Sequence, residues 1–389
     1  MAEVFAQCCQ LATCIDCFRA APSRRMNCQP FCAKRQAMGA ANYTIIGGGI
    51  AGLASGLALA NMGATATLFE QAPKFEEVGA GLQLGPNAVH ALQALEAWDA
   101  VSPSTYIPPA IHIRDGLSGR LLKEIELGRT FAARFGQPYR VAHRADLHEG
   151  LLAALNVRRS VDIDLGKAVS YKNVKGEVIA ADGINSPTRL SLFPASGAVR
   201  LPEKIYRALL PMPELRGIAA ECVNLWLFPQ GHVVHYPVSG GKKFNLVAVT
   251  QGEQPALHYA KAAAELRALL ALAPHWLEWP GAYVPALPNW GQGNVRLIGD
   301  AAHATLPFLA QGAAMALEDA VALGKVNANL ANYEAMRRAR VARLHQETLR
   351  NGKIYHLQGM AALARNAALR AMPHSLFLQR LAWIYDWLQ

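Results

Sequence analysis

From Gln36 to Phe69 the chain carries no charged residue, and a G-x-G-x-x-G pattern lies inside that run. Length alone would allow a membrane-spanning helix there. The internal pattern argues against one. Asn42-Tyr43-Thr44-Ile45-Ile46 reads as a short buried strand, Gly47-Gly48-Gly49-Ile50-Ala51-Gly52 as a turn, and Gly52 to Met62 as an alanine- and leucine-rich helix. Ala64 to Phe69 reads as a second strand, closed by Glu70. Strand, glycine turn, helix and strand in this order predict a Rossmann-type dinucleotide-binding unit. In it Gly47 permits the tight turn, Gly49 lets backbone approach a pyrophosphate, and Gly52 brings helix and strand together. Ala51 lies in the same turn at the helix N-terminus. Glu70, eighteen residues past Gly52, is placed to accept a ribose 2′-hydroxyl. An acid there favours an unphosphorylated ribose, as in FAD or NAD.

The rest of the composition fits a globular chain. Of 389 residues, 52% are hydrophobic and only 17% charged, enough for a large core and too few charges for a disordered scaffold. Glycine shows no three-residue period and no repeat of solenoid length is present. The net charge of +10 comes from 38 basic against 28 acidic residues. The positive residues are scattered, with no zinc finger or aromatic RNA motif beside them, so neither nucleic acid nor membrane is an expected partner. Their densest cluster, Arg337, Arg338, Arg340, Arg343 and Arg350, reads as a solvated helix face. The excess suits an anionic substrate and the phosphates of a dinucleotide.

Six of the seven cysteines fall at Cys8, Cys9, Cys14, Cys17, Cys28 and Cys32. That crowding is unlike a disulfide framework. Cys14-x2-Cys17 with Cys28-x3-Cys32 leaves a four-thiolate zinc site as an alternative, but the loop is short and no histidine is near. Asp16 and Arg19 break the apolar stretches a secretory signal needs. Residues 1–41 are therefore read as a disordered N-terminal extension, the protein as cytoplasmic, and no metal site is expected.

Four further stretches carry the argument. Glu76 to Asn87 is a glycine-rich loop before a helix, and His143-Arg144-Ala145-Asp146-Leu147 opens another. Ala181-Asp182-Gly183-Ile184-Asn185-Ser186-Pro187-Thr188-Arg189 follows a short apolar run. Val295 to Ile298 leads into Gly299-Asp300-Ala301-Ala302-His303, then through Pro307 to Gln311-Gly312-Ala313 at a helix start. In this order the motifs resemble the group A FAD-dependent aromatic monooxygenases, in the salicylate hydroxylase-like branch. The resemblance covers about residues 43–350 and continues weakly to Trp383, Tyr385 and Trp387.

That resemblance implies an α/β fold: a Rossmann-type FAD domain, a mainly antiparallel β substrate domain, and C-terminal helices. It implies FAD and NAD(P)H as cofactors, O2 as co-substrate, and hydroxylation of a small, anionic aromatic ring through a flavin C4a-hydroperoxide. The family's roles fall on Asp300 (ribityl hydroxyls), Arg144 (FAD), and Asp182 with Gly183 (pyrophosphate and NAD(P)H). Gly312 and Ala313 would supply amides to the flavin pyrimidine, and Gln83 would lie near the isoalloxazine. Each has a plainer alternative: a helix N-cap for Asp300, a surface arginine, an Asp-Gly turn, a polar loop residue for Gln83. His232-x-x-x-Tyr236-Pro237 is similar to a His/Tyr pair of phenol-hydroxylating relatives, where the histidine helps deprotonate the phenol. The alternative is a pair of half-buried strand residues.

The expected organisation is an FAD domain from 42–203 and 291–325, a substrate domain at 204–290 joined by the 106–127 stretch, and a helical region at 326–389, in a monomer or homodimer. The chain departs from the family pattern in short stretches between Arg144 and Asp182, between Thr250 and Trp290, and between Leu323 and Tyr333. Ala180 also stands where a glycine is usual. These losses keep open the alternative of a flavin-binding relative that does not hydroxylate productively.

Overall fold

The computed structural model describes residues 42–75, 80–214, 218–327 and 329–387. The six N-terminal cysteines and the Glu76-Glu77-Val78-Gly79 part of the glycine-rich loop lie outside the described residues. In chain order the strands are β1 (Asn42–Ile46), β2 (Thr65–Glu70), β3 (Gly81–Leu84), β4 (Ala110–Asp115) and β5 (Leu121–Glu126). Next come β6 (Arg140–His143), β7 (Val161–Leu165), β8 (Glu177–Ala180), β9 (Val199–Pro211) and β10 (Val223–Phe228). The last are β11 (Gly231–Val238), β12 (Lys243–Thr250), β13 (Leu277–Tyr283), β14 (Gly291–Gln292) and β15 (Val295–Leu297).

One sheet runs β14-β15-β8-β1-β2-β7, parallel except at the β14 edge. Its central strand β1 is buried continuously from Tyr43 to Ile46, because both faces are covered. The helix Ile50–Asn61 covers one face, and Leu53 and Leu57 are sealed from solvent. From β1 the chain steps to β2 on one side, while β8 and β15 lie on the other. Strand order therefore reverses at β1, and in such sheets ligands bind beyond the carboxyl ends of the strands at that point.

The second sheet runs β13-β9-β12-β11-β10-β4-β5 and is antiparallel except for the β10–β4 pair. The 106–127 stretch supplies β4 and β5 to it. Alternation along each strand sorts side chains to two faces. Tyr206, Trp226, Val233, Phe244 and Leu246 pack under the helix Ala264–Ala271. The opposite, inner face carries three cross-strand rows: Ile205, Val249 and His232; Arg207, Val247 and Val234; Leu209, Asn245 and Tyr236. A small ladder, β3 with β6, brings Gln83 beside this face. The sequence boundary at 204 cuts through β9, whereas the helix Gly312–Lys325 ends where the C-terminal region was expected to begin. Two helices, Gly359–Ala371 and His374–Tyr385, close the chain after the 26-residue helix Leu330–Tyr355.

Candidate active site

A cleft of about 620 Å³ opens at the strand-order reversal, lined by Gly47, Gly49, Glu70, Asp182 and Gly183 among others. The glycines divide into two kinds. Gly47 has φ of +102°, and a Cβ there would strike the Ala181 carbonyl. A Cβ on Gly52 would fall on the Gly47 carbonyl oxygen. These two are fixed by the turn itself. Gly49, Gly183 and Gly312 instead have nothing within 4 Å of a built Cβ. Their backbones face open space, as a ligand approaching main-chain amides requires.

Two side chains hold the turn. Glu70 accepts the Gly48 N–H at 2.7 Å and the Ala72 N–H at 2.9 Å. His148 Nε2 donates to the Gly48 carbonyl at 2.7 Å. Gly48 is thus clamped from both sides. His148 went unnoticed in the sequence, although it lies one helical turn after Arg144. Ala51 packs at the helix start, where a Cβ on Gly299 would meet it at 2.8 Å. Arg144 is the first residue of the helix Arg144–Asn156, and its N–H donates to Ala80.

Asp182 caps its own loop, accepting the Ser186 hydroxyl at 2.5 Å and the Thr188 N–H at 3.1 Å. Arg189 is fully buried and donates to the carbonyls of Ser196 and Ala301. Burial depresses its pKa, and the carboxylates of Asp182 and Asp300 oppose that. A buried guanidinium therefore ties the Asp182 loop to the Asp300 helix. Asp300 itself is exposed at the start of the short helix Asp300–His303, and its carboxylate hydrogen-bonds to no described residue.

Behind Asp300 lies a buried ionic network. His303 Nε2 meets Asp319 at 2.6 Å, and the Gly299 N–H donates to the same carboxylate oxygen at 3.0 Å. Arg337 donates to Asp319 and Glu318, each at 2.7 Å. Arg340 forks onto Glu318 and also reaches the carbonyls of Trp383 and Ile384. Asn87 Nδ2 completes it, bonding Glu318 and Gln311. This corrects the reading of the arginine cluster as a solvated face for two of its five members, while Arg338, Arg343 and Arg350 are exposed. Arg337 is fully buried and Arg340 nearly so, because Glu318 and Asp319 lie beneath them. Of the cluster's four arginines in ion pairs, Arg338 and Arg350 keep substantially exposed side chains. For Asp319 burial pushes the pKa upward, but His303 and Arg337 outweigh it and hold the carboxyl below its usual range. The helix Gly312–Lys325 starts above this network, with Gly312 and Ala313 in its first turn.

On the inner face of the second sheet, Tyr236 is buried beside Gln83, which accepts the Tyr139 hydroxyl at 2.6 Å. Burial raises the Tyr236 pKa strongly, with Arg207 and Gln83 opposing. Arg207 Nε and Asn245 Nδ2 are buried polar groups without a hydrogen-bond partner. His232 is buried against Phe308 and Tyr355, and its Nδ1 meets His356 Nε2 at 2.9 Å. His232 and Tyr236 share this face, separated by roughly 13 Å of strand at the usual rise. His235 faces the other way, accepting the Trp226 indole N–H at 2.9 Å.

The open glycines, a helix N-terminus, uncommitted Asp300 and orphaned polar atoms on the facing sheet fit a flavin dinucleotide spanning the two sheets. The comparisons agree. A family model described as FAD binding domain matches residues 266–349. The chain belongs to the FAD-dependent aromatic-ring monooxygenases, whose reductant is NAD(P)H. Within them it is similar to the 3-hydroxybenzoate 6-hydroxylase of Polaromonas naphthalenivorans (strain CJ2), 33% identical over 88% of this chain and 95% of that protein. The 3-hydroxybenzoate 6-hydroxylase of Klebsiella oxytoca is 34% identical over 88% and 96%. Among solved structures, a salicylate hydroxylase substrate complex shares the fold, with a TM-score of 0.73, 24% identity, and coverage of 89% of this chain and 95% of that one. No finding favours the alternative of a flavin-binding chain that does not hydroxylate. Among the described residues, no helix is long and apolar enough to cross a membrane, and no group of three or more His, Cys, Asp or Glu is placed to hold a metal.

Proposed function

We propose that the enzyme hydroxylates a hydroxybenzoate, a small phenol bearing a carboxylate. The observation that carries this reading is the inner face of the second sheet, where unpartnered Arg207 Nε and Asn245 Nδ2 flank buried Tyr236. A buried guanidinium N–H without an acceptor is costly, and a carboxylate supplies one. The neighbouring row carries His232, which burial and nearby His356 hold neutral at pH 7, the form that accepts a phenolic proton. A phenolate is the better nucleophile toward an electrophilic oxygen.

FAD, when bound, supplies the redox chemistry. The chain supplies position. In this reading Gly47, Gly49, Ala51 and Gly52 cradle the pyrophosphate, Glu70 the adenosine ribose, and Asp182, Gly183 and Arg144 the adjoining chain. Asp300 takes the ribityl hydroxyls. The first-turn amides of Gly312 and Ala313 face the flavin pyrimidine, where a helix N-terminus favours negative charge. Gln83 and Tyr236 border the substrate side.

Two tests follow. Asp300→Ala should fold normally and lose FAD on gel filtration, because its carboxylate makes no bond the fold depends on; unchanged flavin content would remove the ribityl role. For the substrate, binding and NAD(P)H-driven product formation are compared for 3-hydroxybenzoate, salicylate and 3-hydroxybenzyl alcohol. Arg207→Met should weaken 3-hydroxybenzoate binding by about 10- to 100-fold, the value of a charged hydrogen bond, and barely alter binding of the alcohol. Equal losses for both would sink the carboxylate role.

A further inference from the structure

We propose that His232 and His356 form a two-histidine proton relay that carries the substrate's phenolic proton from the buried site to solvent. The proposal rests on the hydroxybenzoate reading and adds a residue to it. His232 is 3% exposed, so a proton it accepts has no direct path to water. Its Nδ1 is 2.9 Å from His356 Nε2, while its Nε2 hydrogen-bonds to no described residue. His356 follows the helix Leu330–Tyr355 and is partly exposed. One ring is inside, one reaches the surface, and their facing nitrogens are in hydrogen-bond contact.

Two neutral imidazoles in contact must share one proton between the facing atoms. The relay assigns it to His232 Nδ1, donating to His356 Nε2, which leaves the His232 Nε2 lone pair for the substrate. When the phenolic O–H bond breaks, its proton bonds to Nε2. The Nδ1 proton then passes to His356 Nε2, and His356 releases its own Nδ1 proton to water. One proton enters and one leaves, and both rings end neutral with exchanged tautomers. The reverse transfer resets both rings before the next substrate binds: water protonates His356 Nδ1, the His356 Nε2 proton returns to His232 Nδ1, and His232 Nε2 gives its proton to the product phenolate.

The surroundings suit transfer rather than storage of charge. Phe308 and Tyr355 pack on His232. Facing His356 are Glu203 from β9, His258 from the helix Pro255–His258, and Arg365 from the helix Gly359–Ala371. Burial lowers the His356 pKa to about 4, with His258 and Arg365 adding to that and Glu203 opposing it. At pH 7 an imidazolium formed there therefore gives up its proton readily. Since a histidine lowered this far stays neutral down to about pH 4, the relay keeps working well below the pH at which a free histidine would block it.

The test uses the FAD-loaded enzyme with 3-hydroxybenzoate as probe and no reductant in its first arm. Proton release to buffer on binding, and the red-shifted phenolate absorbance of the bound ligand, are recorded for the unmodified protein, His356→Gln and His232→Gln. Gln keeps a hydrogen bond to His232 but cannot pass a proton. His356→Gln should bind with little proton release and hydroxylate at least about tenfold more slowly, with KM changed less than about twofold and flavin reduction unaltered. In His356→Ala, added imidazoles should restore hydroxylation in proportion to their basicity. Proton release in His356→Gln equal to the unmodified protein, or rescue independent of basicity, overturns the relay while leaving His232 as base. Normal behaviour of His232→Gln overturns the base role and the relay with it. Should the alanine variant not fold, the ring 15N shifts of the unmodified protein decide. A proton on His232 Nδ1 before substrate binds supports the relay, and one fixed on Nε2 overturns it.

Discussion

Gly49→Val is expected to fold and to lose FAD, whereas Gly52→Ala is expected to fail to fold normally, although it adds a single methyl group. The two glycines belong to one motif and are three residues apart, yet the space around them is opposite. Nothing lies within 4 Å of a Cβ at Gly49, whose φ of −73° suits any residue. Valine there costs only the difference between a good and a poor helix N-cap, about 1 kcal/mol. Its methyl groups would occupy the space through which a pyrophosphate must approach the helix N-terminus. At Gly52 a methyl group would overlap the Gly47 carbonyl, which is main chain and cannot rotate away. Relief requires pulling the helix Ile50–Asn61 off β1, a cost of about 3 kcal/mol or more. Circular dichroism and a thermal melt of both apoproteins, with flavin absorbance after gel filtration, distinguish the cases. Gly49→Val that keeps its flavin, or Gly52→Ala that melts with the unmodified protein, would refute this division of roles.

That contrast also marks what could be read from the sequence. The first βαβ unit was legible because its glycines answer to local physics: a turn, a close contact and an anion at a helix end, all within residues 42–70. The substrate domain was legible as a mainly antiparallel β region at 204–290, through the family resemblance. The order of the second sheet was not. β10 pairs in parallel with β4, more than a hundred residues earlier; the 106–127 stretch was expected to join this sheet, but no local pattern announces its position or direction there. Candidate site side chains divide the same way. Glu70, Asp182 and Asp300 sit at strand ends beside glycines and stand out from that context. His148 clamps Gly48 from 100 residues away, Arg189 bridges two loops, and His356 meets His232 across 124 residues. These are tertiary pairings of residue types that are common on surfaces.

Two members of the arginine cluster, Arg337 and Arg340, show where such a reading misses, and they support the second large prediction. Arg337→Met should destabilise the protein by about 3–5 kcal/mol, the cost of removing one member of a buried ion pair. Five charges or potential charges meet here without solvent: Glu318, Asp319, Arg337, Arg340 and His303. The two carboxylates and two guanidiniums balance. Removing Arg337 leaves Asp319 with His303 and the Gly299 N–H, and leaves Glu318 with Arg340 and Asn87. Methionine matches the lost stem in volume, so the loss reports charge rather than a cavity. The double change Arg337→Met with Asp319→Asn restores neutrality and should cost less than the sum of its parts, by about 0.5–3 kcal/mol. Urea denaturation of the four proteins measures this coupling. A single change costing less than about 1 kcal/mol would place Arg337 with exposed pairs and contradict the burial. The consequence reaches the cofactor. Asp319 fixes the Gly299 N–H one residue before Asp300, and Glu318 anchors Asn87, which holds Gln311 just before Gly312. A guanidinium that touches no ligand thus sets the two loops that would meet the flavin, and Arg337→Met should loosen FAD binding even where the protein remains folded.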